Sequence, residues 1–260
     1  MGPLEGQVAV VTGANRGLGA DIAVGLAAAG ADLAISARDL SSLAETTTAA
    51  VAYGVRVLAL ECDVARPESA NAMARDALDH FGHVDTVVAN AGVAGPTKPM
   101  HEIDFDAWRT CLGTDLDGVF LTLRRFIPSM IRTGGGSLIA ISSATGKRPL
   151  QGRTPYAAAK MGVIGLMRTL AMEVGPFGIR ANSVCPGAVD GSRIQAVFAA
   201  QAAEFDTTQE EAARQFIAHA ALGRLVESHE VAAVCVFLAS SAASGITGED
   251  LNVSAGLVMY

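Results

Sequence analysis

Apolar residues recur along the chain in two alternating patterns, short continuous runs and longer segments with helical spacing. The short runs do not alternate with polar residues, which is typical of strands buried on both faces of a parallel sheet. The predicted strands are Gln7–Val11, Asp32–Ala37, Val55–Leu60, Val84–Ala89, Gly136–Ser142, Ile179–Cys185 and Asp250–Val253.

The longer segments repeat apolar residues three or four positions apart, as the buried face of a helix does. Glycine follows several of them, as at Gly30, Gly82 and Gly175, where it can end a helix. The predicted helices are Gly17–Ala29, Leu40–Tyr53, Pro67–Phe81, Phe105–Ile131, Thr154–Val174, Arg193–Ala203, Gln209–Ala221 and Ser228–Ala239.

Strands and helices therefore alternate along the chain. This order predicts an α/β fold, a doubly wound parallel sheet of about seven strands with helices on both faces. No linker, internal repeat or low-complexity segment divides the sequence, so we expect residues 1–260 to form a single domain.

Composition and charge exclude several classes of function. Of the 260 residues, 50% are hydrophobic and 17% are charged, which is a globular composition. The formal net charge is −7 and Lys and Arg form no basic cluster, so we expect no nucleic-acid partner. The cysteines lie far apart without CxxC spacing, so we expect reduced thiols and no bound metal; they are Cys62, Cys111, Cys185 and Cys235.

The N-terminal sequence lacks the basic segment, apolar run and cleavage site of a signal peptide. No stretch approaches the roughly 18–20 uninterrupted apolar residues that span a bilayer. We therefore expect a cytoplasmic protein without a membrane partner.

A glycine-rich turn, Thr12-Gly13-Ala14-Asn15-Arg16-Gly17-Leu18-Gly19, joins the first predicted strand to the first predicted helix. Glycine lets the backbone turn sharply and approach a pyrophosphate, and a helix N-terminus offers N–H groups and partial positive charge to phosphates. Glycines are also ordinary turn residues, but this position between strand and helix favours a dinucleotide site. We expect cofactor contacts from Gly13, Asn15, Arg16, Gly17, Leu18 and Gly19.

The end of the second predicted strand bears on the choice of dinucleotide. An acid at this place accepts a hydrogen bond from the ribose 2′-OH and repels a 2′-phosphate, but the position holds Ala37, followed by Arg38. The guanidiniums of Arg16 and Arg38 suit a 2′-phosphate, so we expect NADP. The alternative is NAD, with Asp39 holding the ribose; Asp39 can also simply cap the next helix.

Several motifs in order along nearly the whole chain resemble those of the short-chain dehydrogenases/reductases, with 3-oxoacyl reductases as the nearest type. They are the glycine turn, Asp63-Val64, Asn90-Ala91-Gly92, Ser143, the Tyr156-x-x-x-Lys160 pair and Pro186-Gly187. The resemblance implies a Rossmann fold and hydride transfer between NADP(H) and a ketone or secondary alcohol. It also implies further cofactor contacts, which are Asp63, Val64, Asn90, Ala91, Gly92, Pro186, Gly187 and Val189.

Tyr156 and Lys160 suit the proton transfer that accompanies carbonyl reduction. A free tyrosine has a pKa of about 10, which is too high for a good base at neutral pH. Residues four apart share one helix face, and an ammonium at about 5 Å stabilises a phenolate by about 3 kcal/mol at an effective dielectric constant of about 20. The resemblance implies that Tyr156 is the acid/base, that Lys160 stabilises its phenolate and holds the nicotinamide ribose, and that Ser143 orients the substrate oxygen.

One position departs from the family pattern. The resemblance implies an Asn in the helix after the fourth strand, where it anchors a water of a proton relay, and here that place holds Asp115. A carboxylate can still accept from water, but its negative charge beside Lys160 changes the field on Tyr156. We therefore count Asp115 among the catalytic residues and expect a shifted pH optimum.

Residues 188–222 follow the sixth predicted strand, and we expect them to form a lid over a small carbonyl or alcohol substrate. The resemblance also implies a homo-oligomer, either a tetramer or a dimer. Three alternatives for the function stay open at this stage: an NAD-dependent sugar, polyol or hydroxysteroid-type dehydrogenase, a non-catalytic dinucleotide sensor, and an epimerase or dehydratase on a related fold.

Overall fold

A computed structural model describes residues 2–260 and contains a seven-stranded parallel sheet with the order β3-β2-β1-β4-β5-β6-β7. The predicted fold class is confirmed. The strands are β1 Val8–Thr12, β2 Asp32–Ala37, β3 Val57–Glu61, β4 Thr86–Ala89, β5 Gly136–Ile141, β6 Ile179–Pro186 and β7 Asp250–Val253.

The strand order reverses between β1 and β4, because the chain runs from β1 outward to β3 and then returns to pair β4 with β1. In a doubly wound sheet, ligands bind in the crevice at the carboxyl ends of the strands beside this reversal. The turn after β1 and the segment after β4 therefore face each other across the crevice.

Helices cover both faces of the sheet. They are α1 Gly17–Ala28, α2 Ala44–Val51, α3 Pro67–Phe81, α4 Phe105–Leu112, α5 Gly118–Thr133, α6 Ala144–Lys147, α7 Thr154–Val174, α8 Ser192–Glu204, α9 Gln209–Ala218 and α10 Ser228–Ala239. Short 3₁₀ helices occur at Leu40–Leu43, Met100–Glu102, Gly175–Phe177 and Ser241–Ala243, and one π-helical turn at Gly113–Asp117.

Successive residues of β1 contribute to different cores, which explains why the run is apolar throughout. Ala9 and Val11 pack with α1 and α10 on one face, whereas Val8 and Val10 pack with α3, α5 and α7 on the other. Each face is thus a separate hydrophobic layer, and burying apolar area on both is the main force that fixes the strands in place.

The structure differs from the predicted elements mainly at three helices; in addition, α9 ends at Ala218 in place of the predicted Ala221, and β3 and β4 each begin two residues later than predicted. The predicted continuous helix Phe105–Ile131 is interrupted by the π turn, which adds a residue that apolar spacing does not reveal. The predicted helix Leu40–Tyr53 starts as a 3₁₀ helix, and its α-helical part ends at Val51. The short helix α6 was not predicted, because four residues are too few to show a helical period.

No helix within residues 2–260 is long and apolar enough to cross a membrane. All four cysteines are buried thiols without disulfide partners. In the same range no three His, Cys, Asp or Glu side chains gather as a metal site would require.

Candidate active site

The glycine turn after β1 brings backbone atoms so close together that a side chain would not fit between them. A Cβ at Gly19 would lie 2.1 Å from the Gly13 carbonyl oxygen and 2.4 Å from Asn90 Nδ2. Gly13 and Gly17 have φ of +66° and +52°, a region that L-residues with side chains rarely adopt. Arg16 precedes α1 without a side-chain cap, so the first N–H groups of this helix are available to an anion.

Thr12 and Asn90 tie the turn to the segment after β4. Thr12 Oγ1 accepts hydrogen bonds from the backbone N–H groups of Asn90 and Ala91, both at 3.1 Å. Asn90 Nδ2 donates to the carbonyls of Thr12 and Gly13, at 2.9 and 3.2 Å. The Asn90 amide nitrogen thus holds the shape of the turn. Sequence reasoning missed the part that Thr12 plays, because a threonine that ends a buried strand gives no sign of its partners.

The two arginines expected at the adenosine end, Arg16 and Arg38, are exposed and make no ion pair within residues 2–260. Asp39, which follows Arg38, caps the next 3₁₀ helix, because its Oδ1 accepts from the Ser41 hydroxyl at 2.7 Å and the Ser41 N–H at 2.9 Å. These two hydrogen bonds hold the pKa of Asp39 below its ordinary value. Of the two roles considered for Asp39, its contacts in the structure are those of a helix cap.

The expected adenine contacts lie just after β3. Asp63 Oδ1 accepts from the Ala65 N–H at 3.1 Å, and the Ser69 hydroxyl accepts from the Asp63 N–H at 3.0 Å. Val64 is buried against Gly118 at the start of α5, where a Cβ would lie 2.8 Å from Val64 Cγ2. Asn15 and Leu18 are half-buried in the turn after β1.

Tyr156 and Lys160 share one face of α7 at the carboxyl end of β5. Lys160 Nζ lies 5.6 Å from the centre of the Tyr156 ring and donates a hydrogen bond of 3.0 Å to the Ile141 carbonyl. The Ser142 hydroxyl donates to the Lys160 carbonyl at 2.7 Å. Lys160 is only 3% exposed, so water screens the field of its ammonium on the phenol weakly.

Ser143 follows β5 and caps α6, with its Oγ accepting from the Thr145 N–H at 3.1 Å. The cap uses an oxygen lone pair, so the hydroxyl proton of Ser143 can still be donated to another oxygen. A Cβ at Gly146 in α6 would meet the Lys160 carbonyl carbon at 3.0 Å, so α6 lies directly on α7. Ser143 is therefore held at the same edge of the sheet as the Tyr156–Lys160 pair.

Asp115 lies at the centre of the π turn and is fully buried. Its Oδ1 accepts from the Val93 N–H at 2.8 Å, and its Oδ2 lies 3.8 Å from the Cys111 sulfur. A Cβ at Gly92 would lie 2.4 Å from Asp115 Oδ1 and 3.6 Å from Lys160 Nζ. The fold therefore brings this carboxylate to the segment after β4, near Lys160.

Arg153 also lies beside Tyr156, and it was not predicted from the sequence. Its guanidinium carbon is 4.8 Å from the centre of the Tyr156 ring, and one terminal nitrogen donates to the Ala94 carbonyl. The residue is only 3% exposed and its Nε has no hydrogen-bond partner. An arginine just before a helix is ordinarily a solvated surface charge, so nothing in the sequence indicates that Arg153 belongs to the site.

The residues expected beside the nicotinamide lie where β6 ends. Pro186 pairs with Val253, and the Gly187 N–H donates to the Val253 carbonyl at 2.9 Å. Val189 forms an isolated parallel bridge with Val226. A Cβ at Gly187 would lie 2.9 Å from Ser254 Cα, so this position admits only glycine without a shift of the backbone.

The family model described as enoyl-(acyl carrier protein) reductase matches residues 13–258 of the chain. The short-chain dehydrogenase/reductase astE of Aspergillus oryzae is 38% identical, over 98% of this chain and 95% of the relative. The cis-4-hydroxycyclohexanecarboxylate dehydrogenase of Sinomonas cyclohexanicum is also 38% identical, over 96% of each chain. The crystal structure of carveol dehydrogenase from Mycobacterium avium in complex with NAD superposes with a TM-score of 0.92, at 30% identity over 99% of each chain.

The contacts at Gly19 generate a prediction for the glycine turn. We expect Gly19→Ala to lower the free energy of unfolding by about 1–3 kcal/mol, because the new methyl group collides with backbone. We also expect the affinity for NADPH to fall about tenfold or more, because the turn must shift. Denaturant unfolding and a fluorescence titration with NADPH measure the two effects.

Gly165→Ala is the matched control, since Gly165 is exposed in α7 and a Cβ there meets nothing within 4 Å. This variant should gain about 0.5–1 kcal/mol of stability from helix propensity and keep its NADPH affinity. An unaltered affinity in Gly19→Ala would contradict the assignment of the turn to the cofactor.

Proposed function

This chain belongs to the short-chain dehydrogenase/reductase family, and we propose that it transfers a hydride between NADP(H) and a ketone or secondary alcohol through Ser143, Tyr156 and Lys160. Its relatives include a cis-4-hydroxycyclohexanecarboxylate dehydrogenase and a carveol dehydrogenase, and the chain is an NAD(P)-dependent oxidoreductase that acts on CH–OH groups. The observation that supports the proposed site best is the buried ammonium 5.6 Å from the Tyr156 ring.

The residues around the glycine turn fit a pyridine dinucleotide. The turn leaves no room for a side chain at Gly19, and the N-terminus of α1 has no side-chain cap. Such a helix start attracts phosphate through its N–H groups and its partial positive charge. The bound dinucleotide would supply or accept the hydride at its nicotinamide ring.

In the direction of carbonyl reduction, the Tyr156 phenol donates its proton to the substrate oxygen as that oxygen gains negative charge. The Ser143 hydroxyl donates a hydrogen bond to the same oxygen and orients it. Lys160 stabilises the phenolate that is left behind, because its ammonium is held by the Ile141 carbonyl and is screened little by water. In oxidation the same groups act in reverse, with the Tyr156 phenolate as the base.

We propose that residues 188–222 cover the substrate, since α8 contacts the loop that precedes α7. Gln201 Nε2 in α8 donates to the Gln151 carbonyl at 2.9 Å, and Phe198 packs on Phe216 of α9 with ring centres 5.6 Å apart. These contacts join the loop before α7, α8 and α9 into one unit.

For the cofactor, we propose NADP in place of NAD. The position at the end of β2 that an acid would occupy holds Ala37, and Asp39 is engaged by Ser41. Arg16 and Arg38 are exposed without an ion-pair partner in the described range, as a site for a 2′-phosphate requires. NAD is the alternative, and the carveol dehydrogenase relative binds it.

Replacement of the phenol tests the proposed acid/base. We expect Tyr156→Phe to lower kcat about 10²–10⁴-fold, because the proton of the phenol is lost while the ring is retained. Oxidation of NADPH with a panel of ketones, and reduction of NADP with the matching alcohols, provides the assay. Tyr53→Phe is the control, since Tyr53 is exposed outside the site and should leave the rate unchanged.

An undiminished rate in Tyr156→Phe would contradict the proposed mechanism. If the wild-type chain binds NADPH but turns over no carbonyl or alcohol in the panel, the non-catalytic sensor becomes the better description.

Replacement of Arg38 tests the cofactor. We expect Arg38→Ala to lower kcat/KM for NADPH about 10–100-fold and to leave that for NADH nearly unchanged, because a charge-assisted contact contributes about 1.5–3 kcal/mol. The exposed Arg125 of α5 provides a control, Arg125→Ala, that should affect neither cofactor. A wild-type preference for NADH that Arg38→Ala does not alter would show that NAD is the cofactor.

A further inference from the structure

Arg153 brings a second buried cation to the phenol that the proposed mechanism does not use. Its guanidinium carbon lies 4.8 Å from the centre of the Tyr156 ring, closer than Lys160 Nζ at 5.6 Å. Arg153 makes no ion pair within the described part of the chain, and its Nε is buried without a partner. Burying a charge without an ion-pair partner costs free energy, so we expect among the neighbours of Arg153 a charge that its guanidinium offsets.

A buried carboxylate lies in the same cluster. Asp115 accepts from the Val93 N–H and Arg153 donates to the carbonyl of the next residue, Ala94, so the two side chains hold the same short segment after β4. Asp115 also lies close to Lys160, as the contacts of a Cβ at Gly92 show. A carboxylate there opposes the field of the ammonium at the phenol.

Charged and titratable groups face Tyr156 from each element around it. Burial, with a further contribution from the Asp115 carboxylate, raises the pKa of Cys111 to about 12, so this thiol is neutral while the phenol titrates. Arg193 is exposed, with its guanidinium 3.4 Å from the Gly92 carbonyl, and water screens its charge. The buried charges that remain are Lys160 in α7, Arg153 ahead of α7 and Asp115 in the π turn.

We propose that Arg153 is a positioning residue that offsets the charge of Asp115, so that the surroundings of the Tyr156 phenol keep one net positive charge. With Asp115 and Lys160 alone, the buried charges around the phenol would be one carboxylate and one ammonium, with no net positive charge. Arg153 restores the cationic surroundings that stabilise a phenolate. The link to turnover rests on the proposed function, whereas the charge balance itself concerns only residues of this chain.

The ionisation of Tyr156 can be followed directly, because the chain has three tyrosines and Tyr53 and Tyr260 are both exposed. In a Tyr53→Phe/Tyr260→Phe background, the absorbance change of tyrosinate formation reports Tyr156 alone, with and without NADP. The midpoint pH is measured in this background and after addition of Arg153→Gln, Asp115→Asn, both together, and Arg153→Lys.

Removal of a cation makes the phenol harder to deprotonate, and removal of a carboxylate makes it easier. We expect Arg153→Gln to raise the midpoint by about one pH unit and Asp115→Asn to lower it by about one unit. The double variant should return to within about half a unit of the parent, and Arg153→Lys should stay equally close, because it keeps the charge.

The pH profile of kcat/KM for alcohol oxidation should follow the same order, with Arg153→Gln about tenfold slower than the parent below its midpoint. If Arg153→Gln alone does not fold, the test is the comparison of Asp115→Asn with the double variant. The midpoint of the double variant must then lie about one pH unit above that of Asp115→Asn. Midpoints that do not move with Arg153, or shifts that fail to compensate, would overturn the proposal.

The two proposals fail in different ways. If Tyr156→Phe keeps its turnover, the proposed mechanism is wrong. The midpoints of Tyr156 ionisation would still show whether Arg153 offsets the charge of Asp115. If Tyr156→Phe is inactive and Arg153→Gln leaves both midpoint and pH profile unmoved, Arg153 only supports the Ala94 segment.

Discussion

The whole site depends on a buried ammonium held beside a phenol. Lys160 is fixed at both ends, by the Ile141 carbonyl at its Nζ and by the Ser142 hydroxyl at its backbone carbonyl. Ile141 is the last residue of β5 and Ser142 follows it, so the packing of α7 on the sheet sets the distance between ammonium and phenol. Little water reaches the pair, and electrostatic stabilisation in such a site is stronger than the same pair would give at the surface.

The parallel sheet provides the geometry that this interaction needs. Because the strand order reverses between β1 and β4, the glycine turn and the segment from Asn90 to Ala94 meet across one crevice. The same segment also donates its Val93 N–H to Asp115 and accepts from Arg153 at its Ala94 carbonyl. The segment after β4 is thus joined by hydrogen bonds both to the glycine turn that we assign to the cofactor and to the charged groups that lie around the phenol.

Much of the fold could be predicted from the sequence, because strands buried on both faces and glycines after helices leave local signals. The glycine turn is such a signal, and the steric contacts of Gly19 show why no other residue serves there. Contacts between distant residues leave none. Lys147, for example, forms a buried ion pair with Asp250, 103 positions along the chain, and neither residue stands out in its local sequence. Arg153 was missed for the same reason, and the π turn because one added residue does not disturb a helical period enough to be seen.

The most direct test of the central interaction is the pH dependence of alcohol oxidation by Lys160→Met, compared with the parent chain. The account predicts that kcat/KM falls about 10²-fold at neutral pH and recovers partly as the pH rises, because a phenol without its ammonium is deprotonated only in more alkaline solution. A variant that keeps the parent's rate and pH profile would show that the ammonium beside Tyr156 does not drive the reaction.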